Sequence, residues 1–121
     1  GDVYKRQGPG RVMRRGEIRW YTFKAPDKRR PVLVLTRNSA ISFLNTLTIA
    51  PITTTIRDIP SEVLLTPEDG LRTDCAANLD NIQTVPKHRL GSILAYLSSE
   101  RMEEVNQATA FALGLDALVV W

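Results

Sequence analysis

The chain has 121 residues, 43% of them hydrophobic, and a formal net charge of +3. That size suits one domain built around a single core. No apolar run reaches the roughly 18 residues that a membrane-crossing helix needs. The lone cysteine, Cys75, excludes an intrachain disulfide, so the expected setting is reducing and cytoplasmic.

Charge is unevenly spread. Residues 1–37 hold eleven Lys/Arg against three Asp/Glu, and residues 38–121 hold five against ten. This asymmetry predicts a basic face that meets a polyanion.

Residues 1–12, GDVYKRQGPGRV, are Gly-rich, polar and without period. They are expected to be a leader or a cloning scar, which leaves residues 13–121 as one domain. EIRWYTF, residues 17–23, is aromatic and β-branched and reads as a strand. KAPDKRR follows as a loop with a Pro-Asp turn signal. VLVL, residues 32–35, is uniformly apolar and predicts a strand covered on both faces, with Pro31 at its start.

Residues 38–45 read as a polar-bounded connector with one helical turn capped by Asn38 or Ser39. Residues 46–55 are strongly β-branched. Pro51 marks an edge, a bulge or an end of that strand. SEVLL is a short strand and TPEDGLRTD a turn-rich loop. Residues 75–85 read as one or two strands broken near Asp80-Asn81. Pro86 suits the first position of a helical turn, and ILAYL predicts a last strand. A helix then starts at Ser98 or Ser99, carries Met102, Val105, Ala108, Thr109 and Ala112 at three- and four-residue steps, and stops at Gly114. LDALVVW is an apolar tail. The sum is a mostly antiparallel sheet of short strands, curled on itself, with a C-terminal helix. Its connections are too short for βαβ crossovers.

Most catalytic chemistries find no residues here. His88, the only histidine, lies between Lys87 and Arg89 and reads as an exposed turn residue. One histidine and one cysteine do not make a tetrahedral zinc site. Glu68, Asp69 and Asp74 could serve Mg²⁺, but TPEDGL is more simply a turn. No phosphate-cradling glycine motif is present, and Cys75 beside Ala-Ala reads as a buried thiol. Arg, Lys, Ser and Thr remain. That set suits RNA cleavage, where the substrate's own 2′-hydroxyl is the nucleophile. The protein then needs only to position the phosphate and stabilise its developing charge. An Arg fork matches a phosphate, and a Thr hydroxyl donates to a non-bridging oxygen.

Four stretches carry a resemblance: Met13-RRGEIRW, Arg30-PVLVLTRN, API-Thr53-TTI and NIQTVPKHRL. In that order and spacing they resemble the MazF/PemK family, the toxin endoribonucleases of bacterial toxin–antitoxin pairs. The resemblance covers residue 13 to about Gly114. It implies a mainly β (α+β) fold, an SH3-like barrel of twisted antiparallel strands with a C-terminal helix. It also implies a homodimer and a type II toxin that cleaves single-stranded RNA at specific sequences. No metal or other cofactor is needed, and the products have 2′,3′-cyclic phosphate and 5′-hydroxyl ends. The implied partner is a cognate MazE-like antitoxin whose acidic tail crosses the RNA groove.

The family pattern places the catalytic Arg at Arg30 and the catalytic Thr at Thr53. Arg19, Lys28, Arg29, Thr54, Asn81 and Gln83 are the expected RNA contacts. Two features depart from the pattern. APDKRR is shorter than the family loop, and Gln83 stands where the family usually has Arg. Two other functions compete. CcdB-type toxins share the fold and bind gyrase without cleaving, and the tail LDALVVW could serve that contact. A non-catalytic nucleic-acid-binding SH3-like module is the third reading. The Arg30/Thr53 pairing favours cleavage.

Overall fold

The computed structural model describes residues 13–24 and 28–118. The expected leader or scar at residues 1–12, and the end of the apolar tail at 119–121, lie outside the described residues.

Strand β1 (Glu17–Phe23) pairs antiparallel with β2 (Lys28–Val34), with Ile18 opposite Leu33 and Phe23 opposite Lys28. The strand thus begins four residues before VLVL, and Lys28, Arg29 and Arg30 belong to it rather than to a loop. Pro31 is tolerated inside it for a specific reason. Its partner Trp20 donates its N–H to the Ser92 carbonyl at 3.1 Å and accepts the Gly91 N–H at 2.7 Å. Trp20 therefore asks nothing of the missing Pro31 N–H. Gly91 is needed for that approach, since a Cβ there would sit 3.2 Å from the Trp20 oxygen.

Strand β3 (Thr46–Thr53) pairs with β2 along one edge, from Val34–Ile49 to Val32–Pro51. Its other edge is shared. Residues 46–49 pair with β6 (Gln83–Pro86), while Ile52 and Thr53 pair with β5 (Cys75–Asn78). Pro51 sits at the changeover, where no ladder N–H is required. The strand ends at Thr53, two residues before the expected end. Strand β4 (Glu62–Leu65) pairs with β5 at one edge of the sheet, and β7 (Ile93–Tyr96) pairs with β1 at the other. The order is β4-β5-β3-β2-β1-β7, with β6 on β3, and every pairing is antiparallel.

The curled sheet forms a half-barrel against α2 (Ser99–Leu113). Ile18, Leu33, Ala50, Ile52, Val63 and Leu65 pack there with Val105 and Ala108. The opposite face carries Tyr21, Val32, Val34, Leu47, Ile49 and Val85, joined by Ile41 of α1 (Asn38–Ile41). Cover on both faces is why VLVL reads as a continuous apolar run rather than an alternating one.

Helix α2 begins and ends as expected. The Ser98 hydroxyl accepts the Arg101 N–H at 3.1 Å, and Gly114 takes φ 75° at the end, a conformation that a Cβ would strain. Two smaller expectations need correction. Helix α1 stops at Ile41 and has no side-chain cap; the Asn38 oxygen instead accepts the Arg15 N–H at 2.7 Å. Pro86 closes β6 and precedes the 3-10 turn Lys87–Arg89 instead of opening it. No described helix is long and apolar enough to cross a membrane.

Candidate active site

The site is built where β3 leaves β2. In their pairing, Val32 faces Pro51 and Leu33 faces Ala50. Continued past the last ladder pair, the same register sets Arg30 opposite Thr53. Directly opposed residues share a face. Arg30 and Thr53 both line a cavity of about 220 Å³, together with Pro51, Thr55, Arg57, Glu62, Asn78 and Asn81. A second cavity of about 230 Å³ is lined by Phe23, Lys28, Arg30, Pro51, Asn81 and Gln83. Arg30, Pro51 and Asn81 belong to both, so the two cavities form one groove with Arg30 at its centre.

Local structure fixes these side chains. Alternation along β2 puts Lys28 and Arg30 on the groove face and Arg29 on the other. Asn81 ends a 3-10 turn, Leu79–Asn81, that is held at three points. Leu79 is buried in the core, the Asn78 oxygen accepts the Asp80 N–H at 3.0 Å, and the Ser61 hydroxyl bonds the Asp80 carboxylate. The Thr53 hydroxyl oxygen accepts the Thr55 N–H at 3.0 Å. Its own proton stays available to a ligand oxygen. Among the described residues, Lys28, Arg30 and Arg57 enter no ion pair. Three cations facing one carboxylate, Glu62, give the groove the sign that suits a phosphate backbone.

Of the residues expected at the site, Arg30, Thr53, Lys28, Asn81 and Gln83 come together here. Three do not. Arg19 is 3% exposed; its Nε–H donates to Glu17 at 2.8 Å and its Nη1–H to the Gly91 carbonyl at 2.9 Å. It is a buried structural cation and is withdrawn as an RNA contact. Arg29 stacks 4.2 Å over the Trp20 ring on the face away from the groove. Thr54 is exposed just after β3 and lines neither cavity.

Phe23, Pro51, Thr55, Arg57, Glu62 and Asn78 also line the groove and were not among the expected residues. Two-residue steps from Thr53 to Thr55 and Arg57 were a usable signal. Glu62 and Asn78 required knowledge of the β4–β5 pairing, which sets them directly opposite each other.

Other candidates are occupied elsewhere. His88 is exposed in its 3-10 turn, as expected. Cys75 is 4% exposed, and burial, with Asp69 and Asp74 nearby, pushes its thiol above the usual range. Asp69 accepts hydrogen bonds from the Thr66 backbone N–H and from Arg101. Among the described residues no three His, Cys, Asp or Glu side chains gather as a metal-binding group.

Comparison with known proteins gives this groove its context. A family model described as "PemK-like, MazF-like toxin of type II toxin-antitoxin system" matches residues 14–113. The chain is 39% identical over 93 residues to Endoribonuclease MazF3 of Mycobacterium tuberculosis, which spans 77% of this chain and 90% of that protein. The solved structure of Mycobacterium tuberculosis toxin MazF-mt6 superposes with a TM-score of 0.74 at 35% identity, covering 81% of this chain and 96% of that one. A mycobacterial endoribonuclease in complex with its cognate antitoxin gives a TM-score of 0.77 at 31% identity, covering 85% and 96%. The chain therefore belongs to the PemK-like, MazF-like toxins of type II toxin–antitoxin systems, whose curated relatives are endoribonucleases.

Proposed function

We propose that this endoribonuclease cleaves single-stranded RNA in the groove centred on Arg30, with Arg30 and Thr53 acting on the scissile phosphate. The carrying observation is that both residues line one cavity at the point where β3 turns away from β2. The Arg30 guanidinium would bind two phosphate oxygens as a fork. The Thr53 hydroxyl would donate to a non-bridging oxygen as charge grows on it. A guanidinium has five donors and no acceptor, so the role of Arg30 is electrostatic. The substrate's 2′-oxygen attacks in line, the bond to the 5′-oxygen breaks, and a 2′,3′-cyclic phosphate and a 5′-hydroxyl result.

Lys28 continues the phosphate track. Gln83 and Asn81 supply amides that can hydrogen-bond base edges, so they are the proposed readers of sequence. The proposed working form is a homodimer in the cytoplasm. The proposed partner is a cognate MazE-like antitoxin whose acidic segment neutralises Lys28, Arg30 and Arg57. The complex named for one structural relative supports such a partner.

The test is incubation with a mixed-sequence single-stranded RNA and its DNA equivalent in the presence of EDTA. RNA should be cut and DNA left intact. Replacing the 2′-hydroxyl at the mapped cut site with hydrogen should stop cleavage. Continued cutting there would rule out the internal nucleophile.

A further inference from the structure

Apart from one carboxylate, the side chains of the groove offer no acceptor for the 2′-hydroxyl proton. The guanidinium groups of Arg30 and Arg57 have donors and no acceptor, Thr53 is an alcohol, and the single histidine lies outside both cavities. One carboxylate does line the Arg30–Thr53 cavity, and that is Glu62.

Its position follows from the sheet. Val63 and Leu65 of β4 point into the core, so Glu62 and Leu64 take the other face. Glu62 pairs with Asn78 across β4–β5, and Asn78 lines the same cavity. One oxygen, Oε1, accepts the Arg57 N–H at 2.9 Å. That bond orients the carboxylate and ties it to the segment leading away from Thr53. The other oxygen, Oε2, accepts no hydrogen bond among the described residues. The cavity that Glu62 lines has a volume of about 220 Å³.

We propose that Glu62 is the general base of the cleavage reaction. This rests on the reading of the Arg30 groove given above. The free oxygen of Glu62 takes the 2′-hydroxyl proton as the 2′-oxygen bonds to phosphorus. The bond from phosphorus to the 5′-oxygen breaks, and the departing oxygen takes a proton from water. The protonated Glu62 then gives its proton to the hydroxide left behind, so the carboxylate is restored and no redox change occurs. The charged surroundings are mixed. Arg30 and Arg57 face Glu62 from the groove. Asp58, Glu104 and Asp116 line a separate cavity that Glu62 also borders, and Asp80 lies beyond Ser61.

A merely structural role is separable, because a glutamine at this position keeps the oxygen that accepts the Arg57 N–H. Cleavage of a mixed-sequence single-stranded RNA should be followed under single-turnover conditions from roughly pH 4 to 9, the range in which a carboxylate or imidazole base titrates. Wild type, Glu62→Gln, Glu62→His and Arg30→Ala are compared. Glu62→Gln should slow cleavage on the order of 10²–10⁴-fold and abolish the acidic limb of the profile. Glu62→His should recover part of the rate and move that limb up by about two pH units, since imidazoles titrate that far above carboxylates. Wild-type rates in Glu62→Gln, with Arg30→Ala inactive, would overturn the base and leave the groove reading in place. Equal losses in Glu62→Gln and Glu62→His, with no shifted limb, would also overturn it. An active Arg30→Ala would overturn the groove reading, and Glu62 with it.

Discussion

Arg30 and Thr53 line one cavity, although the ladder between their strands has already ended at Val32 and Pro51. The continued register aligns them, and the turn of β3 toward β5 opens the space between them. Arg30 is exposed, so Arg30→Ala should abolish cleavage while moving stability by no more than about 0.5 kcal/mol. Arg30→Lys should restore little, because an ammonium lacks the planar fork. Thr53→Ala should raise the barrier by about 2–4 kcal/mol, as loss of an oxyanion donor does. Single-turnover rates alongside denaturant melts would decide. Full activity in Arg30→Ala would remove Arg30 from the mechanism.

Arg19 makes the opposite prediction. It and Glu17 are 3% and 5% exposed and bonded to each other. Arg19→Ala strands a buried carboxylate and should cost about 3–5 kcal/mol of stability. Any loss of cleavage should track the unfolded fraction. An unchanged denaturant midpoint would show that the pair carries no such penalty.

Salt dependence should separate Lys28 from Arg29. Lys28 shares the groove face with Arg30, whereas Arg29 lies over Trp20 on the other face. For a single strand each phosphate contact contributes about 0.7 to the slope of log affinity against log salt. Lys28→Ala should lower that slope by about this amount. Arg29→Ala should leave the slope alone and cost about 0.5–1 kcal/mol of folding stability through the lost stacking. Equal slopes for the two variants would contradict the assignment of faces.

Strand content was legible in the sequence because Val, Ile, Thr and aromatic runs between turn residues leave little choice. Helix α2 was legible to within one residue at its start, between Ser98 and Ser99, and to Gly114 at its end, since these bracket an apolar repeat. The extent of β2 was not. Three cations and a proline look like a loop until Trp20 is seen to spend its backbone on Gly91 and Ser92. Composition could not separate Arg19 from Arg30 either. Glu17 lies two residues from Arg19 on the same strand, but the Gly91 carbonyl that completes the buried site comes from far along the chain. Glu62 escaped for a related reason. It is distant from Thr53 in sequence and reaches the groove only through the β3–β5–β4 pairing.

The link between the 66–69 turn and α2 should be visible in acid. The Asp69 carboxylate accepts the Thr66 N–H and the Arg101 Nε–H, each at 2.9 Å. Burial alone would push its pKa up. The Arg101 hydrogen bond and charge, with the bonds from Thr66, outweigh that and hold it below the ordinary 3.8. A depressed folded-state pKa adds stability above the unfolded value, and that stability is lost as pH falls through the folded one. Asp69→Asn should therefore be less stable than wild type at pH 7, by on the order of 1–2 kcal/mol for a lost charge-assisted bond. The gap should persist down to about pH 5 and close below 3.8 as the wild-type carboxyl takes up its proton. Arg101 also contacts Glu104 at 3.1 Å, but Glu104 lies on the same helix and cannot tie α2 to the turn. Urea melts of both proteins across this range would test the argument. A gap that stayed constant from neutral to acid would mean the charge on Asp69 contributes nothing, and the turn would then be held by its neutral hydrogen bonds alone.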